Sequence, residues 1–181
     1  MKNRHMRWTA ALNRLPKNEK IRIAEIGVWT GLFSEQILLN RPLSKIIQVD
    51  RWKIYSDEEQ KVETEARMSR YNQIIFDKAK AENIMRIARF SKRVRVIESD
   101  SIIAANSVSD KYLHMVFIDA AHSYEGCLAD IKAWLSKVTV GGWIGGHDYP
   151  RRPGVKKAVI EMFGDRVISD VDKTWWVKIN E

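Results

Sequence analysis

A strand, a glycine-containing turn and a helix follow one another in Ile23-Ala24-Glu25-Ile26-Gly27-Val28-Trp29-Thr30-Gly31-Leu32-Phe33. The glycines allow a ligand to approach the backbone N–H groups of the turn and the positive end of the helix. The dinucleotide-binding fingerprint has the form G-x-G-x-x-G, but here a glutamate takes the first glycine position and the spacing becomes E-x-G-x-x-x-G. The turn is therefore of a nucleotide-binding type with a carboxylate at its entrance.

This carboxylate distinguishes between ligands. Glu25 would repel a pyrophosphate, but it suits a ligand that carries a cationic amino group. S-adenosyl-L-methionine is such a ligand, because an ammonium and a sulfonium accompany its adenosine. We therefore predict that Glu25, Gly27 and Gly31 bind this cofactor. An ordinary tight connection between a strand and a helix is the alternative that the glycines alone leave open.

The composition indicates one globular domain covering residues 1–181, with 45% hydrophobic and 30% charged residues. Residues 1–20 have the pattern of an N-terminal helix followed by a polar turn, and this helix is expected to pack on the sheet or to cover the site. No apolar run approaches the length of a membrane span, and no signal-peptide core follows Met1, so we expect a cytoplasmic protein without a membrane partner. The single cysteine, Cys127, is expected to pack in the core.

The formal net charge of +8 permits nucleic-acid binding, but the basic residues are scattered along the chain. The densest group lies on and just after one predicted helix. It contains Lys78, Lys80, Arg86, Arg89, Lys92, Arg93 and Arg95. This pattern favours a solvated helix face over an RNA-binding surface.

A second buried strand, residues 45–50, ends in Asp50 about 20 residues after the glycine turn. At that spacing a carboxylate can accept hydrogen bonds from both hydroxyls of a ribose, so Asp50 is a second indication of an adenosine ligand. A helix cap is the alternative role. Trp52 follows closely and offers an indole that could flank the adenine ring.

Two further strands also end in polar side chains. Residues 94–98 lead to Asp100 and Ser101, and the apolar run 114–118 leads to Asp119. In open α/β sheets the carboxyl ends of the strands form the ligand crevice, so these side chains should converge there with those of Glu25 and Asp50. The fold predicted from this order is a Rossmann-like, doubly wound α/β sheet with helices on both faces.

The segment 53–72 is too long for a simple crossover and is highly charged, with few large apolar residues. It is interpreted as a lid over the site. At the other end of the chain, residues 166–169 and 174–179 are predicted to form an antiparallel hairpin, with Trp175, Val177 and Ile179 on one face.

The chain resembles a class I S-adenosylmethionine-dependent methyltransferase over nearly all of residues 20–181. The resemblance depends on EIGVWTG, VDRW, ESDS and, above all, FIDAAHSYEGCLADIKAWLSKVTVGGWIGGHDY. The last block is similar to the small group of macrolide-sugar and catechol-type O-methyltransferases. The resemblance implies a mostly parallel, seven-stranded sheet that ends in an antiparallel hairpin. It also implies that Glu25 and Gly27 lie near the methionine moiety, Asp50 on the ribose, and Asp100 and Ser101 beside the adenine.

In metal-dependent relatives, an acid after strand four and an acidic pair after strand five hold a magnesium ion. Asp119 and Asp148 match two of these positions, whereas His147 stands where relatives place a carboxylate. With Asp119, His147 and Asp148 as the metal ligands, the imidazole disfavours magnesium and brings manganese, iron or zinc into consideration. A site without any metal remains open.

His122 is the best candidate for a general base, with Asp119 beside it as the second catalytic residue. An imidazole can take a proton from an acceptor hydroxyl near neutral pH. Its alternative roles are entry into the following helix or contact with the cofactor.

The leading hypothesis is an enzyme that methylates the hydroxyl of a small molecule, assisted by a metal ion such as magnesium or manganese in one version. Methylation of RNA or another polyanion is the second, because of the net charge and of Arg151 and Arg152. A non-catalytic S-adenosylmethionine-binding module is the third. The absence of an Asn-Pro-Pro-Tyr-type motif after strand four argues against methylation of base amines. The oligomeric state stays open, with a homodimer as one option.

Overall fold

The computed structural model describes residues 6–53 and 72–180. In that part of the chain the strands are β1 (Arg22–Ile26), β2 (Lys45–Asp50), β3 (Val94–Glu98), β4 (Leu113–Ile118), β5 (Val138–Gly146), β6 (Ile168–Asp170) and β7 (Thr174–Lys178). The α-helices are α1 (Arg7–Arg14), α2 (Leu32–Asn40), α3 (Gln73–Ile87), α4 (Ser101–Ala105), α5 (Tyr124–Leu135) and α6 (Pro153–Phe163). Short 3-10 helices cover Ala88–Arg93, Gly164–Arg166 and Val171–Lys173. The predicted lid, residues 53–72, lies almost entirely outside the described residues.

These strands form one sheet in the order β3-β2-β1-β4-β5-β7-β6. β1 to β5 are parallel, and β7 runs antiparallel to both β5 and β6. The parallel part is doubly wound, since the chain moves outward from β1 to β3 and then returns to β4 on the other side of β1. The predicted fold class and the C-terminal antiparallel hairpin are confirmed.

Helices cover both faces of this sheet, and alternate residues of the central strand β4 belong to the two resulting cores. Met115 and Phe117 pack with α1, α2 and Trp176, while Val116 and Ile118 pack with α5, α6 and Trp175. Because β4 is buried on both faces, it is an unbroken apolar run, as expected for a central parallel strand. The functional side chains are therefore carried by strands that the core holds rigidly.

Helix α3 presents a different face to the sheet from the one that its apolar residues suggest. Its apolar residues Ile74 and Met85 are 62% and 71% exposed. The buried positions are Ala79, Asn83 and Ile87, which recur at the four-residue spacing of one helix face. Asn83 determines this orientation, because its side-chain amide exchanges two hydrogen bonds of 3.0 Å with the buried amide of Gln48 on β2.

The N-terminal helix α1 packs beside the C-terminal hairpin. Ala10 and Ala11 are fully buried against α2, and Arg14 donates a 2.7 Å hydrogen bond to Asp170 on β6. The guanidinium of Arg14 also lies 4.8 Å from the ring centroid of Trp176. This docking places the start of α1 over the carboxyl ends of the central strands. Every helix in the described ranges is too short or too polar to cross a membrane.

Candidate active site

The carboxyl ends of β1, β2, β4 and β5 meet at one edge of the sheet, beside the turn after β1. Gly27 in this turn has a φ of +83°, and a Cβ there would lie 2.3 Å from the carbonyl oxygen of Asp119. Gly31 has a φ of +75° and faces Asn83, whose Oδ1 would be 1.9 Å from an added Cβ. Both positions of the E-x-G-x-x-x-G pattern thus require glycine, Gly27 for the approach of β4 and Gly31 for that of α3.

Asp50 holds the glycine turn through its carboxylate. Its Oδ2 accepts hydrogen bonds from the backbone N–H groups of Val28 and Trp29 at 2.8 and 2.9 Å, and its Oδ1 accepts one from Trp52 at 2.8 Å. A carboxylate has about four lone-pair positions, so acceptor capacity remains for a hydroxyl. The predicted ribose contact of Asp50 is therefore compatible with a structural role in the turn.

Replacing Asp50 with alanine is expected to weaken S-adenosylhomocysteine binding by about 1 to 3 kcal/mol, since a ribose hydrogen bond and the order of the turn are lost together. Calorimetry measures the affinity, and thermal unfolding measures the contribution of the turn. Asp50→Asn is the matched variant because it keeps one acceptor oxygen, and its loss should be smaller. Unchanged affinity in both variants would contradict a role in cofactor binding.

The structure does not bring the indole of Trp52 to the surface of the crevice. Trp52 is 2% exposed and packs with Val28 and Ala79, while its Nε1 donates a 2.9 Å hydrogen bond to the carbonyl of Trp29. Its φ of +44° turns the side chain beneath the glycine turn. Trp29, at 39% exposure, is the indole on the outer side of this turn, in an edge-to-face contact with Phe76. Any adenine contact by an aromatic ring here is therefore better placed at Trp29.

Asp100 and Ser101 lie at the end of β3 and begin α4. The Oδ1 of Asp100 caps this helix by accepting a 2.9 Å hydrogen bond from Ile102 N–H. Ser101 accepts a 2.9 Å hydrogen bond from the indole N–H of Trp134, and its hydroxyl also bonds Asp130. Burial raises the pKa of Asp130 to about 6, against the lowering effect of the Ser101 hydrogen bond. These bonds fix the segment that is expected to lie beside the adenine.

Glu25 is buried at the end of β1, with 3% of its surface exposed. Its carboxyl accepts a hydrogen bond from the Ser34 hydroxyl on α2. Burial raises the pKa of Glu25, the hydrogen bond from Ser34 lowers it, and the nearby Asp119 adds to the increase, so that the pKa lies at about 8. The side chain is therefore protonated at neutral pH, until a cation approaches it.

Asp119, His122 and Asp148 converge beyond the ends of β4 and β5. One potential ligand atom from each residue lies within 4.8 Å of the others. The Nε2 of His122 is 2.8 Å from Oδ2 of Asp148. His122 is positioned by the next residue, Ser123, which caps α5. Asp119 is positioned by its backbone N–H, which donates a 2.7 Å hydrogen bond to the carbonyl of Ile26 on β1. The arrangement suits either an oriented imidazole base or a metal ion.

His147 lies against the same carboxylates from the other side. Its Nδ1 is 3.4 Å from Oδ1 of Asp119 and 3.6 Å from Oδ2 of Asp148. Burial lowers the pKa of His147, but hydrogen bonds to Asp119 and Asp148 outweigh this effect and raise it to about 9. Asp119, His122 and Asp148 form a group that could hold a metal ion, and the role of His147 as a ligand stays a prediction.

The carboxylate of Asp148 contacts both histidines, His122 and His147. Its backbone is in the left-handed region at a φ of +61°, and it is 7% exposed. Burial would raise the pKa of Asp148, but hydrogen bonds from His122 and His147 hold it far below its usual range. Asp148 is therefore ionised throughout the physiological pH range, as required of a group that orients an imidazole.

Two site residues escape prediction from the sequence. They are Arg7 on α1 and Asp172 in the turn of the hairpin. Arg7 forms an ion pair with Asp119, and its Nε lies 4.0 Å from Oδ2 of Asp172. The Oδ1 of Asp172 is 3.9 Å from Nε2 of His147. These contacts require the docking of α1 and of the hairpin turn on the strand ends. The one available signal was the expectation that the N-terminal helix covers the site.

Comparisons with known proteins agree with this geometry. A family model described as a methyltransferase domain matches residues 24–149, from β1 to just beyond Asp148. None of the curated protein sequences matches significantly. Among solved structures, the chain is similar to the O-methyltransferase NovP, with a TM-score of 0.70 and 18% sequence identity, covering 95% of this chain and 75% of that chain.

Two other solved structures represent different acceptors. One is the TDP-rhamnose 3′-O-methyltransferase of calicheamicin biosynthesis, with a TM-score of 0.56 and 16% identity, covering 96% of this chain and 77% of that chain. The other is an rRNA methylase from Streptococcus thermophilus, with a TM-score of 0.60 and 12% identity, covering 100% of this chain and 99% of that chain. At sequence identities of 12 to 18%, the similarity to these three structures shows a shared fold and no more.

Proposed function

The chain belongs to the S-adenosylmethionine-dependent methyltransferases, and we propose that it transfers the methyl group to a hydroxyl oxygen of a small molecule. The observation that carries this proposal is the 2.8 Å contact between His122 and Asp148 at the strand edge where the cofactor is expected. An imidazole paired with an ionised carboxylate is suited to removing the proton of an alcohol or phenol.

The reaction breaks the bond between the methyl carbon and the sulfonium sulfur and forms one between that carbon and the acceptor oxygen. The hydroxyl proton must leave as the oxygen attacks. When the Nε2–H group of His122 donates a hydrogen bond to Asp148, the neutral imidazole carries its lone pair on Nδ1. Nδ1 is then the basic atom. Asp148 fixes the tautomer and stabilises the imidazolium that forms. The protein otherwise contributes proximity and alignment.

Acceptor panels test the proposal directly. Methyl transfer from labelled cofactor should be detected with phenols, catechols or sugar hydroxyls, with S-adenosylhomocysteine as the second product. A chain that binds S-adenosylhomocysteine but methylates none of these acceptors or RNA would support the alternative of a binding module.

We expect cofactor binding to release about one proton near pH 7 through Glu25. The pKa of about 8 leaves this carboxyl mostly protonated before binding, and the ammonium of the cofactor stabilises its ionised form. Calorimetry in buffers of different ionisation enthalpy measures the proton release. At about pH 9.5 the release should vanish, because Glu25 is then already ionised.

Glu25→Gln is the matched control, since it keeps the shape and the contact with Ser34 but cannot ionise. It should bind the cofactor without proton release and with lower affinity. Release of the same size in the variant would assign the proton to another group and remove the argument for an ammonium contact at Glu25.

A divalent metal at Asp119, His122 and Asp148 is the second version of the mechanism. Two carboxylates and an imidazole fit manganese, iron or zinc better than magnesium, and the ion would supply a lowered pKa for the acceptor hydroxyl. Arg7 already places a positive charge on Asp119, so an ion would compete with this guanidinium. The observed neutralisation of the site by protein cations favours the metal-free version.

Chelator treatment distinguishes the two versions. In the metal-free version, activity should persist in excess EDTA and should not rise on addition of magnesium, manganese or zinc. Loss of activity with EDTA and its return with one of these ions would instead establish the metal as essential.

RNA is the alternative acceptor class, since one structural relative is described as an rRNA methylase and Arg151 and Arg152 follow Asp148. An RNA acceptor would make binding strongly dependent on salt, because phosphate contacts release counterions. Transfer to small hydroxyl compounds that is insensitive to salt would favour the leading proposal.

A further inference from the structure

A cavity of about 310 Å³ lies at the opposite edge of the sheet from the candidate active site. It is formed at the amino ends of β1, β2 and β3, where Arg22 pairs in register with Lys45 and Ile47 with Arg95. Strands of five or six residues separate the two edges by about 16 to 20 Å, since a strand rises about 3.3 Å per residue. We refer to this site as the cationic cavity.

Five positively charged side chains line the cationic cavity: Arg22, Lys45, Lys92, Arg93 and Arg95. No Asp or Glu is among the described residues that line it. Three of these cations belong to the dense basic group singled out in the sequence, and the structure divides that group. One part of the group pairs with carboxylates: Lys80, Arg86 and Arg89. The other part, Lys92, Arg93 and Arg95, lines the cavity together with Arg22 and Lys45 from distant parts of the chain.

The arginines are held in place by neutral acceptors. Arg93 donates to the carbonyls of Pro42 and Leu38 at 2.9 and 3.1 Å, and Arg22 donates to the carbonyl of Tyr112 at 2.7 Å. Arg95 lies 3.4 Å from the hydroxyl oxygen of Ser107. In the described ranges none of the five pairs with a carboxylate, and the neighbouring Asp110 is taken by Lys137 at 2.7 Å. The three arginines are therefore held in place, and no carboxylate in the described ranges compensates the five charges.

Like charges around one cavity that no carboxylate compensates repel one another. A multiply charged anion relieves this repulsion and accepts charge-assisted hydrogen bonds from several groups at once. The concave wall also has apolar parts, contributed by Val94, Val108 and the ring of Tyr112. Its volume is at the lower end of the roughly 300 to 1,000 Å³ of small-molecule sites.

We propose that the cationic cavity is a second ligand site, which binds a small phosphate ester of nucleoside diphosphate size. Lys45, Lys92 and Arg95 contact the phosphates, and the apolar wall receives the rest of the ligand. A concave site of this size fits a compact anion better than an extended nucleic-acid strand, which needs a continuous groove. The site is separate from the methyl-transfer site and does not depend on the proposed acceptor.

Calorimetry with pyrophosphate and with ADP tests the proposal, in the presence of saturating S-adenosylhomocysteine so that ADP cannot enter the cofactor site. Both probes should bind and should bind less tightly at higher salt. The double variant Lys45→Glu/Arg95→Glu should weaken binding by about tenfold or more, as expected when two charge-assisted contacts become repulsive. Lys156→Glu/Lys157→Glu, the same charge change at two exposed positions of α6, should leave it unchanged.

Thermal unfolding and S-adenosylhomocysteine affinity report on the fold of each variant, and Lys45→Ala/Arg95→Ala replaces the double glutamate variant if that one does not fold. The proposal is overturned if neither probe binds at millimolar concentration, or if the double variant binds them as tightly as the unmodified protein. It is also overturned if a single-stranded oligoribonucleotide binds through these residues and ADP does not.

Discussion

Replacing His122 with alanine is expected to lower the turnover of methyl transfer by about 100-fold or more, while the affinity for S-adenosylhomocysteine changes little. In the proposed mechanism the imidazole removes the acceptor proton, so without it the attacking oxygen keeps that proton. The rate of the unmodified enzyme should rise with pH toward neutrality as the base loses its own proton, and this rise should be absent in the variant. Turnover at saturating cofactor, measured from about pH 5 to 9, provides the test.

Asp148→Asn separates the role of the base from that of a metal. If His122 acts as the base and Asp148 orients it, the asparagine variant should lose less activity than His122→Ala and should keep a pH-dependent rate. If a metal activates the acceptor, loss of the carboxylate should be the more damaging change. Full turnover in both variants would contradict both mechanisms and leave proximity as the source of catalysis.

Gly27→Ala is expected to destabilise the fold by about 2 to 5 kcal/mol. A φ of +83° costs an alanine about 1 to 2 kcal/mol, and its Cβ would collide with the backbone carbonyl of Asp119. Forcing extra volume into a packed site costs about 1 to 3 kcal/mol more. The melting temperature should therefore fall by roughly 4 to 20 °C, and cofactor binding should be lost as β1 and β4 move apart.

Gly141→Ala is the matched control for this variant. Gly141 has a similar φ of +80°, but no atom lies within 4 Å of an added Cβ. It should therefore show only the backbone cost of about 1 to 2 kcal/mol and retain cofactor binding. Equal destabilisation in the two variants would mean that the close approach of Asp119 to the glycine turn does not contribute.

The sheet could be predicted because each of its parallel strands is indicated by a pattern of neighbouring residues. Apolar runs that end in carboxylates, separated by helical patterns, indicate parallel strands whose carboxyl ends meet. The same rule places Glu25, Asp50, Asp100 and Asp119 at the carboxyl ends of their strands, and in the structure these strands are parallel neighbours in one sheet. Their roles in binding and catalysis remain predictions.

What the sequence did not indicate depends on contacts between distant segments. The buried face of α3 does not follow from its apolar residues, because the amide pair of Gln48 and Asn83 forms between segments far apart in sequence. The position of Trp52 follows from a left-handed backbone conformation that a tryptophan rarely adopts. Arg7 reaches Asp119 across 112 residues of sequence, and no local pattern encodes this contact.

The attachment of α1 to the C-terminal hairpin also bears on synthesis of the chain at the ribosome. The carboxylate partner of Arg14 on helix α1 is made only with Asp170, 156 residues later. The strand β7 then inserts between β5 and β6 and buries Trp175 and Trp176. Contacts of such long sequence separation form late. We therefore expect the sheet edge with the candidate active site to stay incomplete in the nascent chain until β7 has left the exit tunnel.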